Sequence, residues 1–249
     1  MNFYGPEAQE PMTVISERIS AGEVQLWLLN GWQIKSLAGF AGSLLTPTEM
    51  LKSERLGDGD ARAFYQGRQV ALRMLLAQYL RRNPKSVCLE MDVWGKPRLA
   101  PGSDALNFSC SSSNGWSLIA FANEPLGVDV EWQDARFNFE PVAVRFFSED
   151  ELALLDASNG AAARQAMFFR LWTRKEAWLK LKGVGLGGLQ ALKTSNLTAP
   201  WLEELCLVNG LVATLAMERP PLFVRRCRLE GELADLEPVK KILSQGGVQ

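Results

Sequence analysis

Short apolar-rich runs of strand length recur along the chain. "VQLWLLN" and "LGVDVEW" are the clearest, followed by "SVCLEMDVW", "FSCSSSNGWSLIAFA", "WLEELCLVNGLVATLAM" and "PLFVRRCRL". In "LGVDVEW" the alternation places Val128 and Val130 on one face, toward a core, and Asp129 and Glu131 on the other. Between these runs lie helical patterns with explicit start signals. Thr46-Pro47-Thr48-Glu49 is a capping box with proline at the first helical position, and Ser148-Glu149-Asp150-Glu151 is a second box. Longer helical patterns follow at "GRQVALRMLLAQYL" and "LWTRKEAWLKLKG", the latter with Gly183 suited to its C-terminal cap. Thr173-x-x-Glu176 also has capping-box spacing, but unbroken apolar residues precede it, so it reads as helix interior.

The two sets of signals repeat. Ser148 lies 102 residues after Thr46, and the same offset carries Arg73 onto Lys175 and Trp27 onto Asp129. Each half then runs strand, short capped helix, longer helix, strands. The expected class is α+β, with two similar α/β halves, 1–122 and 123–249, in a pseudo-two-fold arrangement. A cleft between such halves is a preferred ligand site. The end of the chain, "SQGGVQ", reads as a loose tail.

Composition narrows the chemistry. The 249 residues are 47% hydrophobic and 22% charged, an ordinary globular balance. The net charge of −1 gives no bulk attraction for nucleic acid or an acidic membrane. No apolar run approaches the roughly 18 residues that span a bilayer, and "MNFYGPEAQEPM" lacks the basic and apolar regions of a signal peptide. Cys88, Cys110, Cys206 and Cys227 are scattered without a C-x-x-C, which points to reduced thiols and a cytoplasmic protein. The chain contains no histidine. Ser-His-Asp and Cys-His catalysis are therefore excluded, as is any His-ligated metal.

The carboxylates carry the remaining signal. Asp129 and Glu131, two apart on a strand, stand roughly 6–7 Å from one another on one face. Such a pair is either a solvated edge or a site for a hard cation, and oxygen-only donors favour Mg²⁺. Glu176 and Lys180 share a helix face at i,i+4, which alone could be a surface pair. The glycines of "GVGLGG" follow a helix and lack the lysine and hydroxyl of a P-loop, so they are no nucleotide fingerprint. Together, three carboxylates, the cations Arg62, Lys96, Arg98 and Lys180, and the serines after "GKPRL" describe a Mg²⁺-dependent phosphoryl-group transfer site.

From Val24 to Leu186 the segments "VQLWLLN", "GRQVALRMLL", "WGKPRL", "NFSCS", "LGVDVEW", "FFSEDELALL" and "LWTRKEAWLKLKGVGL" resemble, in order, the 4'-phosphopantetheinyl transferases of the long, pseudo-dimeric Sfp type. The resemblance implies that family's fold and its reaction. The 4'-phosphopantetheine arm of coenzyme A moves to a serine of an acyl or peptidyl carrier protein, and 3',5'-ADP is released. By this resemblance Asp129, Glu131 and Glu176 hold Mg²⁺, Glu176 also acts as base toward the carrier serine, and Lys180 contacts the pyrophosphate. Lys96 and the Ser109-Cys110-Ser111 turn contact coenzyme A phosphate, and Arg62 the 3'-phosphate. The implied protein is a monomer whose partners are coenzyme A and a carrier domain, with no nucleic acid and no membrane.

The family usually has Ser-His-Ser where this chain has Ser109-Cys110-Ser111. Cys110 thus stands in the place of a phosphate-binding histidine and is not expected to be a nucleophile. Two alternatives stay open: a degenerate, non-catalytic homologue that binds coenzyme A or a carrier protein, and a different Mg²⁺-dependent pyrophosphate enzyme.

Overall fold

Thr46 and Ser148 each cap a helix as their sequences predict. Both hydroxyls accept from the backbone of the glutamate three residues on, and both glutamates bond back to the cap. These elements belong to a computed structural model that describes residues 19–57, 59–100, 106–185, 188 and 201–227. The "SQGGVQ" tail lies outside the described residues.

The chain opens with strand β1 (Glu23–Leu29), then helices α1 (Gly31–Lys35), α2 (Ala41–Leu44), α3 (Pro47–Glu54) and the long α4 (Asp60–Leu80). A small hairpin follows, β2 (Leu89–Met91) and β3 (Pro97–Leu99), and then a larger one, β4 (Asn107–Ser113) and β5 (Trp116–Ala122). Strand β6 (Leu126–Trp132) leads to α5 (Glu140–Phe146), α6 (Glu149–Asp156), the long α7 (Ala161–Lys182) and the strands β7 (Trp201–Leu205), β8 (Leu211–Met217) and β9 (Phe223–Cys227). The fold is therefore mixed α+β.

The stretch "FSCSSSNGWSLIAFA" divides at Asn114-Gly115. Both residues have positive φ, 44° and 79°, as a two-residue hairpin turn requires. Ser109-Cys110-Ser111 is accordingly extended strand within β4 and not a turn.

Strand order shows a correspondence between the two sets of elements. One sheet runs β4-β5-β1 and the other β7-β8-β6, each antiparallel through these strands. A buried ion pair recurs with it. Arg73 of α4 meets Glu49 of the first capping box at 2.8 Å, and Lys175 of α7 meets Glu151 of the second, also at 2.8 Å. Each glutamate thus fixes its short helix to its long one. Strand β9 departs from the scheme: it runs parallel to β1 and extends the first sheet, with Cys227 opposite Trp27.

Two cores follow from the strand pleat. Trp27, Leu29, Ile119 and Phe121 face α4 and pack with Val70, Met74 and Leu75. Val24, Leu26, Leu118 and Ala120 face the other way and share a core with Val128, Val130, Ala213 and Leu215 of the second sheet. At roughly 1.5–3 kcal/mol per buried large apolar side chain, these interiors set the positions of everything polar between them.

Candidate active site

Strand β4 is the edge of the first sheet and lies alongside β6, the edge of the second. Side-chain hydroxyls connect the two edges. Ser109, Ser111 and Ser113, at i, i+2 and i+4, share one face of β4. The Ser109 hydroxyl accepts from the Val128 amide at 3.0 Å, and the Ser113 hydroxyl accepts from the Trp132 amide at 3.0 Å. Amides that an edge strand would otherwise leave unpaired are satisfied in this way. The middle serine, Ser111, donates to Asp129 at 2.7 Å.

The face of β6 opposite Val128 and Val130 carries the carboxylates toward α7. Helix α7 presses Thr173, Ala177 and Leu181 onto the second sheet, through Thr214 and Ala216. Glu176 and Lys180 form the adjacent stripe. Gly127 permits this approach: a Cβ there would stand 2.0 Å from the Ala177 carbonyl oxygen and 2.5 Å from the Leu181 amide nitrogen. Gly183 ends the helix at φ 64°, the left-handed cap its sequence predicts.

Asp129 is 3% exposed. Its Oδ1 accepts from Ser111 and from the Lys180 ammonium, each at 2.7 Å, while its Oδ2 is buried with no hydrogen-bond partner. Glu131 accepts from Ser113 at 2.7 Å, and the nearby Trp172 side chain favours its charged form. Burial raises its carboxyl above the usual range, and the Asp129 charge adds to this against the Ser113 bond. Glu176 is pushed up to about 7, by burial first and then by Asp129 and Glu131, with Lys180 opposing. Burial would lower the Lys180 ammonium, but Asp129 outweighs it and holds the pKa above the ordinary lysine value.

The Asp129 charge raises both Glu131 and Glu176, so the group is short of positive charge. Among the described residues, no three Cys, Asp or Glu side chains are gathered closely enough to hold a metal ion as they stand. The Lys180 ammonium neutralises Asp129 instead. Glu176 and Lys180, neighbours at i,i+4, thus do not simply pair with each other: Lys180 forms its ion pair with Asp129. The all-oxygen donor set and the orphaned Asp129 Oδ2 nevertheless fit a hard divalent cation.

A cavity of about 240 Å³ opens beside these groups. Its walls come from the β2–β3 hairpin (Trp94, Lys96), from β4 (Phe108, Cys110) and from α7 (Glu176, Lys180). Lys96 reaches the C-terminal turn of α7, donating to the Lys180 carbonyl and, at 3.5 Å, to the Leu126 carbonyl. Burial pushes its ammonium down to about 8, helped by the like charge of Arg98 and opposed by Asp92. Cys110 lines the cavity and also packs against the first core. All four cysteines are free thiols.

Not every residue singled out in the sequence gathers here. Ser109 borders the cavity, but its hydroxyl is committed to β6. Arg98 pairs with Asp92 at 2.9 Å. Arg62, half-buried in the first turn of α4, is not among the residues lining the cavity. Sequence reading missed Ser113, Trp172 and Trp94. The alternation Ser109, Ser111, Ser113 was a visible signal for the first; Trp172 and Trp94 had none beyond their size. No helix among the described residues is long and apolar enough to cross a membrane.

Comparison with known proteins bears on these groups. The family model of the 4'-phosphopantetheinyl transferase superfamily matches residues 125–211, which contain β6, α7 and the carboxylates. The chain is 30% identical over 208 residues to the 4'-phosphopantetheinyl transferase HetI of Nostoc sp., covering 78% of this chain and 87% of that one. It is 33% identical over 164 residues to the 4'-phosphopantetheinyl transferase psf-1 of Bacillus pumilus, covering 60% and 66%. With the 4'-phosphopantetheinyl transferase Sfp of Bacillus subtilis it shares 30% over 117 residues, 47% of this chain and half of that one. Since the match to HetI runs through most of both chains, this chain belongs to the 4'-phosphopantetheinyl transferase family.

Proposed function

We propose that the protein transfers the 4'-phosphopantetheine arm of coenzyme A to a serine of an acyl or peptidyl carrier protein and releases 3',5'-ADP. One observation carries this reading: the buried, partly unpartnered Asp129 faces Glu176 and Lys180 at a cavity walled by residues from both 1–122 and 123–249. The matched strand orders, capping boxes and ion pairs support a pseudo-two-fold arrangement of those two halves, with carboxylates only in the second. Trp27 and Met74 stand where Asp129 and Glu176 stand.

In this reading Asp129, Glu131 and Glu176 hold Mg²⁺. Bound there, the cation supplies positive charge to the diphosphate. Lys180 and Lys96 face the phosphates from the cavity wall. Glu176 borders the cavity and is placed to take the proton from the carrier serine hydroxyl. The serine oxygen forms a bond to the phosphorus that carries the pantetheine arm, the phosphoanhydride bond breaks, and its electron pair leaves with 3',5'-ADP. Lys180 stabilises the charge on that leaving phosphate. Incubation of apo-carrier protein, coenzyme A and Mg²⁺ should release 3',5'-ADP, and excess EDTA should stop it. Undiminished release in EDTA contradicts the carboxylate assignment.

Glu176 predicts a pH effect on stability. Its carboxyl is raised from 4.5 to about 7, so without a divalent cation the folded state holds a proton that the unfolded state has lost. That stabilisation is fully present below about pH 4.5 and is lost as pH rises through about 7. Added Mg²⁺ should therefore raise the melting temperature more at pH 8 than at pH 5.5, and Glu176→Gln should flatten the difference. An equal Mg²⁺ effect at both pH values contradicts it.

Cys110 is read as a cavity-wall residue near Lys96, not as a nucleophile. Cys110→Ser should retain transfer within a few-fold, because a hydroxyl also donates. Cys110→His should tighten coenzyme A binding or raise the rate by about ten-fold, the worth of one charge-assisted hydrogen bond. Complete loss in Cys110→Ser, with coenzyme A still bound, overturns this assignment.

A further inference from the structure

The serine row of β4 does two different things, and this separates a building role from a site role. The Ser109 hydroxyl bonds to the β6 backbone, whereas Ser111 and Ser113 each place a hydroxyl 2.7 Å from a carboxylate. Ser113 is the most constrained of the three. A hydroxyl has one hydrogen and two acceptor positions. The Trp132 amide donates to the Ser113 oxygen at 3.0 Å, which fixes the rotor. Its single hydrogen is then directed at Glu131 Oε2. Trp172 of α7 favours the charged form of the same carboxyl. The Glu131 side chain is thus held from β4.

Resting on the cation-site reading above, we propose that Ser113 is a positioning residue for a divalent cation. It orients Glu131 through a hydroxyl locked by the β6 backbone, as Ser111 orients Asp129. Groups that hydrogen-bond to metal-ligating side chains typically change metal affinity ten- to a hundred-fold when removed. The distinguishing prediction is that the two outer serines, alike in backbone contact, differ in cation affinity. Ser113 matters for it and Ser109 does not.

The test is direct Mn²⁺ binding to the whole protein, read by the loss of the free-ion electron paramagnetic resonance signal at pH 8, with no substrate present. Ser113→Ala should weaken Mn²⁺ binding about ten-fold. Ser113→Thr, which keeps the hydroxyl and suits a strand, should restore it to within about two-fold. Ser109→Ala should lower the melting temperature through the lost Val128 contact while leaving the Mn²⁺ dissociation constant within about two-fold of wild type. Equal Mn²⁺ affinity in Ser113→Ala and wild type overturns the proposal, as does equal weakening by Ser109→Ala, which would mean the row acts only through strand geometry. Absence of Mn²⁺ binding in the wild type overturns the cation-site reading itself, a result distinct from either.

Discussion

Asp129→Asn should remove phosphopantetheinyl transfer while leaving the protein folded. The substitution keeps the side-chain volume, and its carbonyl oxygen can still accept from Ser111 and Lys180, the two donors that meet Oδ1. What is lost is the charge at the centre of the carboxylate group and the acidic oxygen that has no other partner. A site that stabilises a diphosphate by several kcal/mol through a cation loses most of that when an anionic ligand becomes neutral. The expected fall in rate is at least about a thousand-fold, some 4 kcal/mol of barrier. Relief of the repulsion on Glu176 and loss of the Lys180 ion pair act on stability in opposite directions, so the variant should remain folded. Asp129 is also the largest charge effect that raises Glu176, so the variant should shift the pH dependence of Mg²⁺ stabilisation toward lower pH. A variant that transfers within ten-fold of wild type contradicts the assignment of Asp129. One that fails to fold contradicts the claim that this carboxylate serves the site and not the core.

Gly127→Ala should damage folding and activity together. Its Cβ would fall 2.0 Å from one backbone atom of α7 and 2.5 Å from another. Neither neighbour is a flexible side-chain end, so β6 and α7 must move apart. Overpacking of this kind costs about 3 kcal/mol, equivalent to roughly 6–12 °C in melting temperature for a chain of this size. The separation also draws Asp129 and Glu131 away from Glu176 and Lys180. A misplacement near 1 Å is enough for about a hundred-fold loss of rate. Gly42→Ala serves as the control: nothing lies within 4 Å of its added Cβ, and alanine favours the helix. Equal behaviour of the two variants contradicts the close-approach account.

Local chemistry made much of this legible in the sequence. Both capping boxes, the glycine cap at Gly183 and the facing of Asp129 and Glu131 away from Val128 and Val130 need only neighbouring residues to specify them, and all appear as read. The interior position of Thr173 was decided by apolar residues before it, and it is buried within α7. Long-range pairing was not legible. Nothing in "PLFVRRCRL" says that β9 runs parallel to β1 at the far side of the first sheet. Spacing alone offers Glu176 as a neighbour of Lys180, and only the packing of α7 on β6 brings in a buried aspartate from another element. In the sequence the serines stand out as phosphate donors because hydroxyls donate. Their other capacity, accepting from an exposed strand edge, becomes visible only once β4 lies against β6.

The most direct test of the proposed function is the intact mass of a carrier protein after incubation with the full chain, coenzyme A and Mg²⁺. The carrier should gain one phosphopantetheine group, a carrier with its acceptor serine changed to alanine should gain none, and the Asp129→Asn enzyme should leave the wild-type carrier unmodified. An unmodified carrier in the presence of wild-type enzyme that binds both coenzyme A and Mn²⁺, repeated across acyl and peptidyl carriers, would contradict transfer and identify the chain as a binding homologue.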